Sequence, residues 1–229
     1  MSTTPTRHPV SPADDPVSPA DDPAGRGHQV TDAAELLRMY GPVPKRAAGK
    51  VHGHVDQHDR DFIARSPFLV LATAASDGLL DVSPRGDLPG FVRVLDDKHL
   101  VLPDRPGNNR IDSLLNLLTD PRLSLIFLVP GLVHTLRVNG TAVVSTDPGL
   151  RELCEVKGRL PVTTLLMQVH EVLYQCPRAL VRGRLWDPER HVDPRSLPTL
   201  DEVLADQVTG LTQAESVSIG RASVDDPLW

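Results

Sequence analysis

The sequence predicts a mainly β, α+β fold: an antiparallel barrel with inserted and flanking helices. About six or seven short runs rich in Leu, Val, Ile and Phe follow one another in the central part of the chain, and most are joined by hairpin-length turns. Helical patterns, with apolar residues at intervals of three and four, lie between some strands and beyond them. At 229 residues, 40% of them hydrophobic, the chain is long enough to bury one sizeable core.

The first 30 residues are expected to form a disordered tail. The heptapeptide VSPADDP occurs twice, at residues 10–16 and 17–23, in a stretch rich in Pro, Asp, Gly and Ser. Such a composition buries too little apolar surface to offset the entropy of ordering, and the proline that ends each copy argues against a helical heptad repeat. We therefore predict a tail over residues 1–30 and a single domain over residues 31–229 that ends in a helical segment.

Two short helices are predicted ahead of the strands. The first has the pattern TDAAELLRMY, in which Thr31 is the expected N-cap and the following GPVP ends the helix. The second has Asp56 as its expected N-cap and places Phe62 and Ile63 on its apolar face.

The strands are predicted largely as hairpins. FLVLATAA and LLDVSP flank Asp77-Gly78, which supplies the positive φ of a tight turn, and FVRVL and HLVLP flank residues 96–98. The runs RLSLIFLVP and VHTLRVNGTAVVST, separated by Pro130-Gly131, and the run TLLMQVHEVLYQ complete the predicted strands.

The remaining helices follow from periodicity and capping. After the second hairpin, apolar side chains at i, i+3, i+4 and i+7 predict a helix with one buried stripe, formed by Ile111, Leu114, Leu115 and Leu118. DPGLRELCEV and PRALVRGRLW are predicted as short helical segments, and Thr199 begins a capping box before LDEVLADQV.

Charge and composition argue against several kinds of partner. The 24 basic and 30 acidic residues give a net charge of -6, so there is no basic field to bind nucleic acid or an anionic membrane. Cys154 and Cys176 are too few for a disulfide framework and are expected to be free thiols. No apolar run approaches the ~20 residues of a membrane span, and the N-terminus has no secretory pattern. We expect a soluble, cytoplasmic protein.

The stretch LPDRPGNNR, residues 102–110, is a candidate anion site. It ends a strand and precedes a helix, whose first N–H groups lack partners and carry partial positive charge. Gly107 would let the backbone approach a ligand, Asn108 and Asn109 offer a cap and amide donors, and Arg110 adds a guanidinium suited to phosphate. Alternatively, Asn108 only caps the helix and Arg110 is solvated; spacing alone does not decide between these interpretations.

Arg85, in DVSPRGDLPG, is a second candidate cation. It lies at the end of a strand, and strand ends converge in a small antiparallel meander, so that Arg85 could bind the same anion. The alternative is an ion pair with Asp81 or Asp87.

A metal site is the rival hypothesis. His52, His54 and His58 occur with Asp56 and Asp59, and His54 and His58 share a helix face at i, i+4. There is no H-E-x-x-H motif and no evident further anchor downstream, so we predict exposed histidines on a capped helix and no metal.

The joint pattern of SPRGD, PGNNR and LRVNG closely resembles the pyridoxamine 5'-phosphate oxidase-like flavoproteins, specifically a bacterial subgroup of FMN-dependent enzymes of unknown substrate. The resemblance covers about residues 51–187. It implies an FMN-binding split β-barrel, a homodimer with the cofactor at the subunit interface, and an oxidoreductase that acts on a small molecule. Because the flavin carries the chemistry, no catalytic side chain is required, and none is predicted.

The resemblance also implies which residues bind FMN. Arg85 and the turn formed by Asn108, Asn109 and Arg110 would hold the phosphate. The remaining positions are Pro103 and Asp104 along the isoalloxazine ring, Thr135 at the flavin edge and Trp186 near the cofactor.

Two departures from the family narrow this prediction. The chain has no counterpart to the Arg-x-His segment with which pyridoxamine phosphate oxidases hold their substrate, and no lysine follows SPRGD where those enzymes have one for the phosphate. Oxidation of vitamin B6 is therefore not implied. A non-catalytic flavin-binding protein, and use of the deazaflavin F420 or haem instead of FMN, remain alternatives.

Overall fold

The structure is a computed structural model that describes residues 29–225. The predicted tail over residues 1–30 lies outside this range except for its last two residues. By its internal contacts the chain divides into two units between Lys50 and Val51. The first unit contains α1 (Ala33–Tyr40) and α2 (Lys45–Ala48).

The N-cap of α1 is Asp32 rather than the predicted Thr31. The Asp32 carboxylate accepts a hydrogen bond from the Ala34 N–H at 2.9 Å. The predicted cap was wrong by one residue because Asp and Thr are adjacent and both are good capping residues.

The second unit contains seven strands that form one antiparallel sheet in the order β2-β1-β5-β6-β7-β4-β3. The predicted hairpins are present as β1/β2 and β3/β4. The strands are β1 (Phe68–Ala74), β2 (Leu80–Gly86), β3 (Arg93–Val94), β4 (His99–Pro103), β5 (Arg122–Leu128), β6 (Leu136–Ser145) and β7 (Thr164–Tyr174).

Six α-helices and two short 3-10 helices, Pro188–Arg190 and Pro194–Ser196, accompany this sheet within the described residues. Asp56 caps the first of them and Thr199 forms a capping box with Glu202, as predicted. The structure adds that Asp56 also forms a reciprocal box, with Asp59. The α-helices are α3 (Gln57–Ile63), α4 (Asp112–Thr119), α5 (Pro148–Glu152), α6 (Arg178–Gly183), α7 (Leu200–Gln207) and α8 (Gln213–Asp225).

The sheet curves around a single core. Leu69 on β1, Val138 on β6 and Leu100 on β4 are all fully buried in the same apolar cluster. In a flat sheet, β1 and β4 would be four strand spacings apart, about 19 Å. The sheet instead closes on itself, since Arg85 on β2 contacts Asp104, directly after β4, at 2.9 Å. The predicted α+β split barrel is confirmed.

A bulge marks the pairing of β6 with β7 at the LRVNG motif. The strand register shifts between Asn139 and Gly140. A side chain at Gly140 would overlap the carbonyl oxygen of Gln168, so this position requires glycine because the two backbones approach closely.

The buried face of α4 differs from the prediction. Ile111, Leu115 and Leu118 are 47%, 42% and 72% exposed, so the predicted buried stripe is wrong. The side chains that α4 buries are Ser113, Asn116 and Leu117, and Leu114 packs only partly against the core.

Hydrogen bonds explain why a polar face of α4 is buried. The Asn116 side-chain amide donates to Thr73 Oγ1 at 3.0 Å and to Asp81 Oδ2 at 2.5 Å. Ser113 Oγ lies 3.3 Å from Ser83 Oγ. These contacts attach α4 to β1 and β2 and leave Leu115 and Leu118 exposed.

Two further sequence expectations concern cysteines and membranes. Cys154 is buried and Cys176 is exposed, and both are free thiols. Among residues 29–225, no helix has both the length and the apolar character needed to cross a membrane.

Candidate functional site

An open cleft of about 490 Å³, hereafter the main cleft, lies where β2 approaches the segment that follows β4. Its volume is in the range of cofactor and small-molecule sites. The lining residues are 81–86 of β2, Phe91 and residues 103–113. Six of the eight predicted cofactor-binding residues are among them: Arg85, Pro103, Asp104, Asn108, Asn109 and Arg110.

An ion pair crosses the main cleft between Arg85 and Asp104. Arg85 Nη1 donates to Asp104 Oδ1 at 2.9 Å, and the two side chains are 23% and 19% exposed. The carboxylate partner of Arg85 is thus Asp104 rather than Asp81 or Asp87. Arg85 Nε is buried and has no hydrogen-bond partner within the described protein, which leaves a donor for a ligand.

Burial dominates the electrostatics of Asp104. It raises the pKa of the Asp104 carboxyl above the usual range, and the charge and hydrogen bond of Arg85 offset this only in part. The main cleft therefore contains a carboxyl group that is less acidic than an exposed aspartate.

A second ion pair lies beside the first. Arg105 Nε donates to Asp87 Oδ2 at 2.5 Å, with the Asp87 side chain fully buried and Arg105 14% exposed. Arg105 Nη2 also donates to the Cys154 carbonyl oxygen at 2.8 Å. The sequence analysis did not single out Arg105; the available signal was the complementary order of charges in Arg85-Gly-Asp87 and Asp104-Arg105.

The turn before α4 does not begin that helix directly, contrary to the prediction. Residue Ile111 is the N-cap, and it makes no side-chain capping bond. Asn108 Oδ1 instead accepts a hydrogen bond from the Arg110 N–H at 3.1 Å. Asn108 closes a local turn because asparagine side chains compete well for nearby backbone N–H groups, and the helix starts only at Asp112.

Arg110 lies on the outer side of this turn. Its side chain is 59% exposed, and Nε donates to Asp112 Oδ2 at 2.9 Å. An ion pair this exposed contributes little to stability. The guanidinium can therefore exchange Asp112 for another anion at low cost.

The backbone of the turn is strained. Asn109 has φ 57° and Ile111 has φ 49°, both left-handed. For a β-branched residue such as isoleucine this conformation costs roughly 1–2 kcal/mol. Strain of this kind is common in ligand-binding loops. Where left-handed and right-handed residues alternate, successive backbone N–H groups can point toward one anion.

Thr135 and Trp186, the other two predicted residues, lie outside the main cleft. Thr135 is buried just before β6, and its carbonyl oxygen accepts from the Gln175 N–H at 2.8 Å. Trp186 Nε1 donates to the Leu132 carbonyl oxygen at 2.7 Å. Thr135 thus lies at the end of the connection between β5 and β6, and the Trp186 side chain binds an earlier residue of that connection. Neither residue joins the six that line the main cleft.

A comparison with protein families identifies the chain. The family model described as pyridoxamine 5'-phosphate oxidase matches residues 55–176, more than half of the 229 residues. The chain belongs to the pyridoxamine 5'-phosphate oxidase family. The matched region runs from just before α3 to just after β7 and includes every residue of the main cleft.

Comparisons with individual proteins give only distant likenesses to this member of the pyridoxamine 5'-phosphate oxidase family. No curated protein matches the chain. Three similar solved structures are HupZ from Group A Streptococcus (16% identity, TM-score 0.44, 52% of this chain and 93% of that chain), an FMN-binding protein from Syntrophomonas wolfei subsp. wolfei (12%, 0.41, 51% and 83%) and an F420 reductase (16%, 0.37, 51% and 94%).

The histidine-rich segment of this family member brings together only part of the rival metal set. His52 Nε2 lies 2.8 Å from Asp59 Oδ2, which also accepts from the Asp56 N–H at 2.9 Å. In the described part of the chain, ligand atoms of His52, Asp56 and Asp59 lie within 4.8 Å of one another, and His54 and His58 are not in this group. These contacts belong to the capping box of α3 and to the His52–Asp59 pair.

Proposed function

We propose that the main cleft binds FMN and that the protein is an FMN-dependent oxidoreductase acting on a small molecule. Members of this family bind flavins. The observation that carries the proposal is the combination, in one cleft, of a buried and unpartnered guanidinium N–H at Arg85 with the strained turn of residues 108–111.

The phosphate end of FMN fits the cationic part of the main cleft. Arg85 Nε offers a buried donor, and the exposed Arg110 can leave Asp112 to bind phosphate. Asn108 and Asn109 add amide and backbone donors in the same turn. A Cβ at Gly107 would meet no protein atom within 4 Å, so the chain leaves room beside this backbone for a ligand.

We assign Pro103 and Asp104 to the isoalloxazine ring. Pro103 is the last residue of β4 and Asp104 follows it directly, and both line the main cleft together with the phosphate turn. The Arg85 guanidinium fixes one Asp104 oxygen and leaves the other for a polar edge of the ring or for substrate. When bound, the flavin supplies hydride or electron transfer at its own ring, and these residues bind and orient it.

We further propose a homodimer in which a second subunit completes the site. Ile111 lines the main cleft, and with Leu115 and Leu118 it forms an exposed apolar stripe at i, i+4 and i+7. A second copy covering this stripe would reach the open side of the cleft. Thr135 and Trp186 both lie outside the cleft, and we propose that this part of the chain faces the other subunit's cofactor.

The absorption spectrum of the purified protein, with mass identification of any released chromophore, tests the proposal. We expect the spectrum and mass of FMN. A deazaflavin or haem spectrum would select one of those cofactors instead, and colourless protein that takes up no FMN on titration would contradict flavin binding.

Turnover separates an enzyme from a flavin-binding protein without activity. We expect NADH or NADPH to reduce the bound flavin and an added electron acceptor to reoxidise it over repeated cycles. Stable FMN binding with no reduction by any donor tried would favour the non-catalytic alternative.

A further inference from the structure

A second cavity, hereafter the side cavity, adjoins the main cleft. It has a volume of about 320 Å³, and Phe91 and Arg105 line both spaces. A ligand in the side cavity would therefore share these two wall residues with the main cleft. The volume suits a small organic molecule.

Arg93, on β3, is the cation that distinguishes the side cavity. Its Nε donates to the Leu153 carbonyl oxygen at 2.8 Å and its Nη1 donates to the Gly90 carbonyl oxygen at 3.0 Å. Within residues 29–225, Arg93 forms no ion pair with a carboxylate. Backbone carbonyl groups thus hold this exposed guanidinium in place, and no carboxylate among the described residues pairs with it.

A second guanidinium is held next to the first. Arg105 Nη2 binds the carbonyl oxygen of Cys154, and Arg93 binds that of Leu153, the preceding residue. Burial raises the pKa of the Cys154 thiol, while the charges of Arg93 and Arg105 both act to lower it, as expected when both guanidinium groups lie near one point. Asp87 balances the charge of Arg105, so Arg93 supplies the net positive charge here and Arg105 adds N–H groups beside it, an arrangement that suits an anion.

The remaining lining residues set the net charge of the side cavity and the polarity of the ligand it can bind. Lys157 adds a third basic residue, and Asp87 and Glu155 are acidic, so the side cavity has an excess of one positive charge. The rest of the wall is largely apolar, formed by Leu88, Pro89, Phe91 and Val156.

We propose that the side cavity binds a small organic monocarboxylate, with its carboxylate on Arg93 and Arg105 and its apolar body against Phe91. The identification of this acid as the substrate rests on the proposed flavin site, because Phe91 and Arg105 place the bound acid beside that cleft. The binding itself depends only on the side cavity.

Titration calorimetry of the full-length protein with benzoate and benzamide tests this proposal. The two probes have the same ring and differ in charge. We expect benzoate to bind at least about tenfold more tightly than benzamide, since a charge-assisted pair to a fixed guanidinium is lost with the amide. Equal affinities, or no binding of either probe, would overturn the proposal.

Substitution of Arg93 locates the bound carboxylate. Arg93→Gln should weaken benzoate binding about tenfold or more and leave benzamide binding unchanged, and Arg93→Lys should lie between. Arg122→Gln is the matched control, because Arg122 is 78% exposed, pairs with Asp120 and lines neither space. Unchanged benzoate affinity in folded Arg93→Lys or Arg93→Gln protein would exclude this site.

FMN titration of the same variants keeps this proposal separate from the proposed function. Arg93→Gln should leave FMN affinity unchanged within about twofold, because Arg93 does not line the main cleft. Protein that binds benzoate over benzamide but takes up no FMN would refute the flavin proposal alone. Protein that binds FMN but does not discriminate between the probes would refute the side-cavity proposal alone.

Discussion

Arg85 and Asp104 form an ion pair of 2.9 Å between two parts of the sheet that the strand order separates widely. Arg85 is on β2 at one edge, and Asp104 directly follows β4, five strand spacings away, or about 24 Å in a flat sheet. The pair therefore joins the ends of the curved sheet and lies in the wall of the main cleft. Barrel closure and the candidate cofactor site depend on the same two side chains.

Replacing Arg85 should affect both stability and binding. In Arg85→Gln, the mostly buried Asp104 loses its cation, so we expect the free energy of unfolding to fall by about 1–3 kcal/mol. We also expect FMN affinity to fall tenfold or more, because a donor to phosphate is lost. Denaturant unfolding and fluorescence titration with FMN measure the two effects.

The double variant Arg85→Gln/Asp104→Asn separates these roles. Removing both charges relieves the unpaired carboxylate, so stability should recover in part, while FMN affinity should stay low. Full recovery of FMN affinity in the double variant would show that Arg85 contributes to binding only by neutralising Asp104.

The sequence predicted the strands, the Asp56 N-cap and the Thr199 capping box because those signals are local. Alternation of apolar residues, an Asp-Gly turn, and an acid three residues after a cap need no knowledge of the rest of the chain. The prediction for α4 failed because its leucine periodicity was read without its partners. Asn116 finds Thr73 and Asp81 across the fold, and such partners are visible only once the strands are placed.

Part of the candidate site was also predictable, because its motifs are local. The PGNNR and SPRGD motifs are short and specific, and six predicted residues do meet in one cleft. The Arg85–Asp104 and Asp87–Arg105 pairs depend on how the sheet closes, which the local sequence does not encode. No sequence motif pointed to Arg93, because its partners are backbone carbonyl groups, which leave no pattern of residue types.

The raised pKa of Asp104 gives a testable pH dependence. Because burial raises the pKa above its ordinary value of 3.8, the folded state binds more protons than the unfolded state between these two pKa values. Ionisation of Asp104 therefore lowers stability as pH rises through that window, the opposite of a typical paired carboxylate.

Asp104→Asn removes this contribution and leaves the other acids in place. We expect the free energy of unfolding of the variant, relative to the parent protein, to increase as pH rises from about 3 to about 6. Denaturant midpoints across this range measure the difference. A difference that falls with pH would mean that the attraction of Arg85 outweighs burial.

Arg110→Ala should weaken FMN binding without affecting the fold. The loss of a charge-assisted bond to phosphate, worth about 1.5–3 kcal/mol, corresponds to roughly tenfold to hundredfold in affinity. Arg122→Ala is a matched control, since Arg122 is also exposed and also pairs with an aspartate two residues away. Equal FMN affinities for the two variants would show that Arg110 does not bind FMN.

An added methyl group should have a large effect on stability at one glycine and almost none at another. Gly140→Ala should lower the free energy of unfolding by about 2 kcal/mol or more, because its Cβ would overlap the Gln168 carbonyl oxygen and lie 2.9 Å from Met167 Cε. Gly107→Ala meets no protein atom, so stability should change by less than about 0.5 kcal/mol. If the FMN phosphate approaches this backbone, FMN titration of Gly107→Ala should show weaker binding at unchanged stability.

The exposed stripe on α4 predicts the oligomeric state. Leu118 is 72% exposed, so Leu118→Glu should leave the free energy of unfolding of a single subunit nearly unchanged, while it places a charge in the proposed interface. Sedimentation equilibrium should show a dimer for the parent protein and a monomer for the variant, with weaker FMN binding by the monomer. Val162→Glu, at a site 74% exposed and outside the stripe, should remain dimeric. A monomeric parent protein would contradict the proposed dimer. A Leu118→Glu dimer as tight as that of the parent would show that the interface lies elsewhere.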